Sequence, residues 1–169
     1  MNNIQETNIR QIISDKSIHT IRVCSLDNAN IQIARFVSSR HFLDKVMSRS
    51  LAYPSVLFAT DSSGEIVPSI GGGYEEGYPS WLLKPDLATF NIIPYSPGTA
   101  RVIADLYNNK LEPIKTNPRH VLRNVLNEYE ELNIKVKGAF EYEFFIFKKN
   151  EGKLEPIWSG LNYVGDQAI

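Results

Sequence analysis

Two glutamates that stand two positions apart are the residues of this sequence best suited to chemistry. Glu141 and Glu143 lie in the segment GAFEYEFFIF, residues 138–147, where they alternate with aromatic and apolar residues. In a β-strand, residues two apart share a face, so the two carboxylates would lie side by side, about 7 Å apart. Like charges this close on a half-buried face repel unless a cation neutralises them. Because carboxylate oxygens suit Mg²⁺ or Mn²⁺, the pair predicts a divalent metal site.

The same spacing also fits a purely structural role. The segment can be an edge strand whose glutamates face water or pair with Lys135 and Lys148. In either case the alternate positions form the opposite, apolar face of the strand, and those residues are Phe140, Tyr142, Phe144 and Ile146. The spacing alone leaves both interpretations open.

The elements that would position the glutamates are a helix and a strand in the last third of the chain. Asn117 is a good N-cap, Pro118 suits the first helical position, and an apolar stripe follows, which predicts a helix over Pro118–Leu132. A long strand over Lys135–Phe147 is then expected to carry the two acids. A turn at Asn150–Gly152 would lead into a returning strand over Lys153–Trp158.

The first two thirds of the chain predict a mostly β unit with a short helix in front. The pattern favours a helix over Asn2–Lys16 and a hairpin of Ser17–Leu26 with Ile31–Val37, because Asp27–Asn30 supplies turn residues. The remaining expected elements are a helix over Arg40–Ser50, short strands at Val56–Ala59, Trp81–Leu83 and Phe90–Ile93, and a strand over Thr99–Leu106. The fold class is therefore predicted as α+β.

Composition excludes several classes of function. The 18 basic and 19 acidic residues give a net charge of −1 with no basic run, so a nucleic-acid partner is not expected. The single cysteine, Cys24, indicates a reducing compartment. The polar N-terminus is unlike a secretory signal, and no apolar run has the roughly 18 residues that a membrane span needs. We expect a cytoplasmic protein without a membrane partner.

Several segments together resemble one protein family. Lys84–Phe90 (KPDLATF) is similar to a Pro-Asp-x-x-Thr-aromatic motif, and Pro94-Tyr95 with Thr99–Asp105 is similar to a Pro-Trp…Ala-x-Val-x-x-Asp strand. Asn117–Arg123 (NPRHVLR) is similar to an Asp-Pro-Arg-x-Val-Leu-Arg helix start, and the Glu-x-Glu-Phe-Phe strand follows it. In this order the segments resemble the glutamine synthetase family, in its γ-glutamyl-amine ligase and lengsin-like branches. The resemblance covers Leu83–Phe147 well and extends more weakly back to about Ile18.

The resemblance implies an organisation for the chain. Residues 1–16 would form an N-terminal helix and residues 17–112 a β-grasp domain. Residues 113–169 would be the first helix–strand unit of a catalytic domain that is truncated in this chain. Family members assemble as rings in which the N-terminal domain closes the neighbouring subunit's site, so a homo-oligomer formed through the β-grasp domain is expected.

The resemblance also implies an activity: ATP-dependent ligation of ammonia or an amine to the γ-carboxyl of glutamate, with Mg²⁺ or Mn²⁺. Glu141 and Glu143 match the family's metal-binding Glu-x-Glu. The family's remaining glutamates, histidine, nucleotide loop and arginines have no counterparts here, so catalytic and ATP-binding residues are not assigned, and the chain alone is expected to be inactive. A non-catalytic, lengsin-like assembly protein and a generic binding module with surface glutamates are the alternatives.

Overall fold

We analysed a computed structural model, which describes residues 2–61, 63–68 and 73–157. The chain divides into two units, Met1–Asn133 and Ile134–Ile169. In the first unit a five-stranded sheet is combined with helices, and the described part of the second contains a two-stranded hairpin. The predicted α+β class is confirmed. No helix in the described ranges is long and apolar enough to cross a membrane.

The elements of the first unit follow the sequence prediction for the most part. The predicted hairpin is present, and the strand predicted over Thr99–Leu106 ends one residue later, at Tyr107. In chain order the elements are α1 (Asn2–Asp15), β1 (Thr20–Leu26), β2 (Gln32–Ser38), α2 (Ser39–His41), β3 (Leu51–Pro54), β4 (Ser80–Ile92), β5 (Thr99–Tyr107) and α3 (Pro118–Glu131).

The sheet has a mixed topology. Its strand order is β2-β1-β5-β4-β3, in which β1 and β5 are parallel and all other neighbours are antiparallel. Local chemistry closes the β1–β2 hairpin, because the Asp27 carboxylate accepts hydrogen bonds from the backbone amides of Ala29 and Ile31. Asn30 supplies the left-handed backbone conformation at φ 62°.

The core lies on one face of this sheet. Ile21, Val23 and Val102 point into it from the central strands, and Leu83 does so from β4. Helical residues cover this face; they are Ile9 and Ile13 from α1, and Phe42, Val46 and Met47 from the segment after α2. Burial of these apolar side chains is the main force that holds the first unit together.

Between β2 and β5 one prediction was wrong, and two others were right in the type of element but not in its extent. The expected helix over Arg40–Ser50 is short: Ser38 caps α2, and a π-helical turn at Phe42–Val46 completes it. Val56–Ala59 is not a strand, because Ser55–Phe58 forms a 3-10 turn directly after β3, a strand that the sequence did not predict. The two short strands predicted at Trp81–Leu83 and Phe90–Ile93 belong to one long strand, β4, whose register shifts between Asp86 and Asn91.

The last third of the chain contains one confirmed and one wrong prediction. Helix α3 begins at Pro118 as predicted, with the Asn117 side chain accepting a hydrogen bond from the His120 amide. The long strand predicted over Lys135–Phe147 is wrong, since residues 134–146 of the described chain form neither helix nor strand. The second unit's hairpin consists of β6 (Phe147–Asn150) and β7 (Lys153–Pro156), with the predicted turn at Glu151-Gly152 between them. Trp158, the predicted end of the returning strand, lies outside the described residues.

Candidate functional site

Four charged side chains from the family-like motifs meet in one cluster, which we call the ion-pair network: Asp86 on β4, Asp105 on β5, and Arg119 and Arg123 on α3. Arg119 Nε lies 2.8 Å from Asp105 Oδ1, and Arg119 Nη2 bonds to Asp86 Oδ2. Arg123 Nη1 lies 2.8 Å from Asp105 Oδ2, and its Nη2 lies 3.7 Å from Asp86 Oδ2. Each carboxylate is thus shared by two guanidiniums.

The electrostatics of the ion-pair network favour the charged form of Arg123. The side chain of Asp105 is only 15% exposed, so its charge would be costly without a partner. The hydrogen bond to Asp105 raises the pKa of Arg123 above its ordinary value, against the opposing effect of partial burial, and the charges of Asp105 and Asp86 act in the same direction as the bond. Hydrogen bonds between ionised partners are stronger and more directional than neutral ones. The network therefore holds the start of α3 against the sheet.

Thr89 explains how Asp86 is presented to this network. Its hydroxyl donates to the Asp86 carbonyl at 2.7 Å and accepts from the Ile103 amide at 2.8 Å. The β4–β5 register shifts after Asp86, and there the Ile103 amide bonds to the Thr89 hydroxyl instead of to a backbone carbonyl. The spacing in the Pro-Asp-x-x-Thr motif thus builds a bulge that fixes the aspartate.

Asn117 makes a second connection between helix and sheet. Its side chain is buried; the oxygen caps α3, and Nδ2 donates to the Leu26 carbonyl at 3.3 Å. One residue therefore satisfies the first turn of α3 and the end of β1 together. An N-cap was predicted here, whereas the bond to Leu26, 91 residues away in sequence, was not.

A cavity of about 410 Å³ lies beside the ion-pair network. Asp86, Asp105 and Arg123 line one side of it, and Lys84 and Arg49 are among its other lining residues. Because both carboxylates are already neutralised by arginines, the cavity shows no uncompensated acidic pair. The network connects α3 to β4 and β5, and its charged groups are used in ion pairs with one another.

Glu141 and Glu143, the predicted metal ligands, lie elsewhere, in the second unit. Both are exposed and belong to the irregular segment 134–146. The apolar face expected beside them is also exposed, with Phe140 at 89%. The ladder of β6 and β7 begins at Phe147, and one further backbone bond, from the Ile157 amide to the Ile146 carbonyl at 3.1 Å, lies just before it. A strand needs a hydrogen-bonding neighbour and a covered face, and the described residues supply neither to residues 134–145.

The two glutamates have the right donor chemistry for a divalent cation but are too few for a complete site. Mg²⁺ and Mn²⁺ take about six oxygen ligands, several of them from protein or substrate. Among the residues that the structure describes, no group of three or more His, Cys, Asp and Glu side chains could hold a metal ion. The described residues therefore do not form a complete metal site by themselves.

Comparison with known proteins shows what these motifs are similar to. Residues 115–163 match the model described as glutamine synthetase, catalytic domain. A glutamate–isopropylamine ligase of Pseudomonas sp is 28% identical over 165 residues, which is 96% of this chain and 36% of the relative. A glutamine synthetase of Methanococcus voltae is 33% identical over 126 residues, 64% of this chain and 28% of the relative. Lengsin of Rattus norvegicus is 36% identical over 66 residues, 39% of this chain and 12% of that protein.

The fold agrees with these sequence matches. The solved structure described as a GmaS/ADP complex superimposes with a TM-score of 0.57 at 20% identity, over 72% of this chain and 25% of that one. These matches show that the chain is similar to members of the glutamine synthetase family, and its similarity to a glutamate–amine ligase and to lengsin agrees with the branch that the motifs indicated. It spans about a third or less of the length of these relatives.

Proposed function

We propose that this chain provides the N-terminal part of a ligase that joins glutamate to ammonia or an amine at the expense of ATP. The observation that carries the proposal is the match along 96% of the chain to a glutamate–isopropylamine ligase. The ion-pair network supports it, because its four residues come from three separate family-like motifs and contact one another across the fold. Contact between the motifs in the fold argues against a chance similarity of each short segment.

In this proposal the sheet unit is the β-grasp domain and α3 begins the catalytic domain. The parallel pairing of β1 with β5 at the centre of a mixed sheet supports the first assignment. The catalytic-domain match from residue 115 supports a boundary near residue 113. The residues of the ion-pair network would then tie the two domains of the family together at α3.

Glu141 and Glu143 are proposed as two of the ligands for the divalent metal, Mg²⁺ or Mn²⁺, that accompanies ATP in the family. Their carboxylates are exposed and free to receive a cation. The supporting argument is their position in a Glu-x-Glu-Phe-Phe segment inside the region that matches the catalytic domain, residues 115–163. The amine acceptor is not assigned to any residue.

We further propose that the 169-residue polypeptide alone does not complete a ligation cycle. Two carboxylates do not make a metal site, and the rest of the family's site has no counterpart in the sequence. The test is ADP release by purified protein with ATP, Mg²⁺, glutamate and either ammonia or isopropylamine. We expect no release above a blank. Release that depends on both glutamate and the amine would refute the proposed inactivity.

The second candidate is a non-catalytic, lengsin-like role in assembly, which the 36% identity to lengsin over 66 residues favours. The coding DNA on both sides of this sequence distinguishes the two. An open frame that continues into further glutamate and arginine motifs of the family supports the ligase. A frame that continues without them supports the assembly role. We also propose a cytoplasmic homo-oligomer, since Cys24 is a buried free thiol and the edge strand β2 leaves Phe36 exposed.

A further inference from the structure

Two arginines lie next to each other on the face of the sheet opposite the core, which we call the outer face. Arg22 on β1 and Arg101 on β5 are register partners in the parallel pair. Their neighbours Ile21, Val23 and Val102 point into the core, so the arginines point away from it. Two guanidiniums are thereby placed at adjacent positions on neighbouring strands.

Neither arginine has an acidic partner among the described residues. The ion pairs of the described chain involve other arginines and lysines, and the nearby acids of β4 and β5, Asp86 and Asp105, are already held by Arg119 and Arg123. In addition, the Arg22 Nε atom is buried and has no hydrogen-bond partner within the described structure. Like charges at facing positions of adjacent strands are destabilising. The arrangement therefore lacks a negative charge.

The surroundings of Arg22 hold its guanidinium in place. Its Nη2 donates to Ser96 Oγ at 3.3 Å, and Ser96 Oγ in turn donates to Thr99 Oγ1 at 3.0 Å. The guanidinium carbon lies 5.1 Å from the centre of the Phe36 ring, a cation–π contact. A cation fixed by a ring on one side and a hydroxyl on the other loses little entropy when it binds an anion.

Cys24 lies on the same face of the sheet as the two arginines. Its thiol follows Arg22 on the outer face and is buried. Burial raises the pKa of the Cys24 thiol, while the Gln32 hydrogen bond and the charges of Arg101 and Arg22 lower it.

We propose that Arg22 and Arg101 form a binding site for a small oxyanion, a phosphate or a carboxylate, with Ser96 holding the Arg22 guanidinium in place. Such a ligand supplies the negative charge and the acceptor oxygens that the described residues do not provide, and guanidiniums bind both groups through paired N–H donors. The ligand is an anion, opposite in charge to the cation proposed for Glu141 and Glu143. The site stands independently of the proposed ligase function.

The test is isothermal titration of the full chain with inorganic phosphate at low ionic strength, and in a parallel arm with glutarate. We expect saturable binding of at least one of them. Arg101→Gln and Arg22→Gln should each weaken that binding by about tenfold, because each removes a charge-assisted contact. Arg101 is exposed, so its variant keeps the fold even if the Arg22 variant does not. The stronger arm identifies the ligand as phosphate or carboxylate.

The matched control is Arg40→Gln, which removes the same charge from an exposed arginine of α2. It should bind within about twofold of the parent, because an exposed surface charge contributes little. Absence of binding in both arms would overturn the proposal. Equal weakening by Arg40→Gln and Arg101→Gln would also overturn it, since it would show only a general charge effect.

Discussion

Arg119 Nε lies 2.8 Å from Asp105 Oδ1, so a residue in the first turn of α3 is bonded directly to the central strand β5. This pair joins the helix start of one family-like motif to the aspartate of another. The pair gives a physical reason why the two motifs occur together in one sequence. Substitutions in these motifs should therefore change the free energy of unfolding.

Replacing Asp105 by Asn should destabilise the first unit. The change leaves Arg119 and Arg123 without their main carboxylate in a partly buried site, and hydrogen bonds to charged groups are each worth about 1.5–3 kcal/mol. We expect a loss of about 2 kcal/mol in the free energy of unfolding, measured by urea denaturation. The control Asp44→Asn disrupts the exposed pair with Arg40 and should change stability by less than about 0.5 kcal/mol. Equal losses in the two variants would contradict a structural role for the network.

Asn117→Ala should remove two connections at once. The α3 cap is lost, and the Leu26 carbonyl loses its donor, so we expect a cost of about 1–2 kcal/mol in unfolding free energy. Asn127→Ala is the matched control, because Asn127 is exposed inside the same helix, where alanine is the better helix former. Thermal denaturation of both variants gives the comparison. An Asn117→Ala protein as stable as the Asn127→Ala protein would show that the cap is dispensable.

Stability should fall at alkaline pH because of Cys24. Burial raises the pKa of its thiol in the folded state above the ordinary value near 9, so ionisation favours the unfolded chain. The stabilisation is complete below pH 9 and is lost as the pH rises through the folded-state pKa. Cys24→Ala should flatten the fall in Tm between pH 8 and pH 10. Tyr53, whose pKa is also raised by burial, acts in the same direction in both proteins and leaves the difference between them unchanged. Identical pH slopes would contradict this assignment.

The exposed aromatic residues of the second unit should cause self-association. Phe140 and Phe145 are 89% and 87% exposed, and large exposed apolar groups favour association. Light scattering of the full chain should show a mass that rises with protein concentration. The double variant Phe140→Ser/Phe145→Ser should lower that mass, whereas Tyr95→Ser, at an exposed loop of the first unit, should not. A parent that stays monomeric at high concentration would refute the prediction.

The sequence predicted best those elements that local chemistry determines. The β1–β2 turn depends on Asp27 bonding to residues two and four positions ahead, and α3 depends on Asn117 and Pro118 at its own first turn. Such signals lie within a few residues and can be read directly. Ser55–Phe58 was misassigned because a short apolar run does not distinguish a strand from a helical turn.

Elements that depend on distant partners were not predictable in the same way. Alternation of apolar residues over 135–147 satisfies the pattern of a strand, but pairing decides whether a strand forms. Among the described residues the strand ladder begins only at Phe147, with a single backbone bond to Ile146 before it. The ion-pair network joins residues from 14 positions apart (Asp105 and Arg119) to 37 positions apart (Asp86 and Arg123), and the sequence identified its four members only as parts of motifs. The placement of Arg22 beside Arg101 likewise depends on the parallel pairing of β1 with β5.

Mn²⁺ binding tests most directly the proposal that Glu141 and Glu143 are metal ligands. Electron paramagnetic resonance measures free Mn²⁺ during titration of the parent, of Glu141→Gln/Glu143→Gln, and of Glu130→Gln/Glu131→Gln, which removes two neighbouring exposed acids of α3. The account predicts weak, saturable binding in the parent and in the α3 control, and its loss in the Glu141/Glu143 variant. Equal free Mn²⁺ in all three proteins would contradict it.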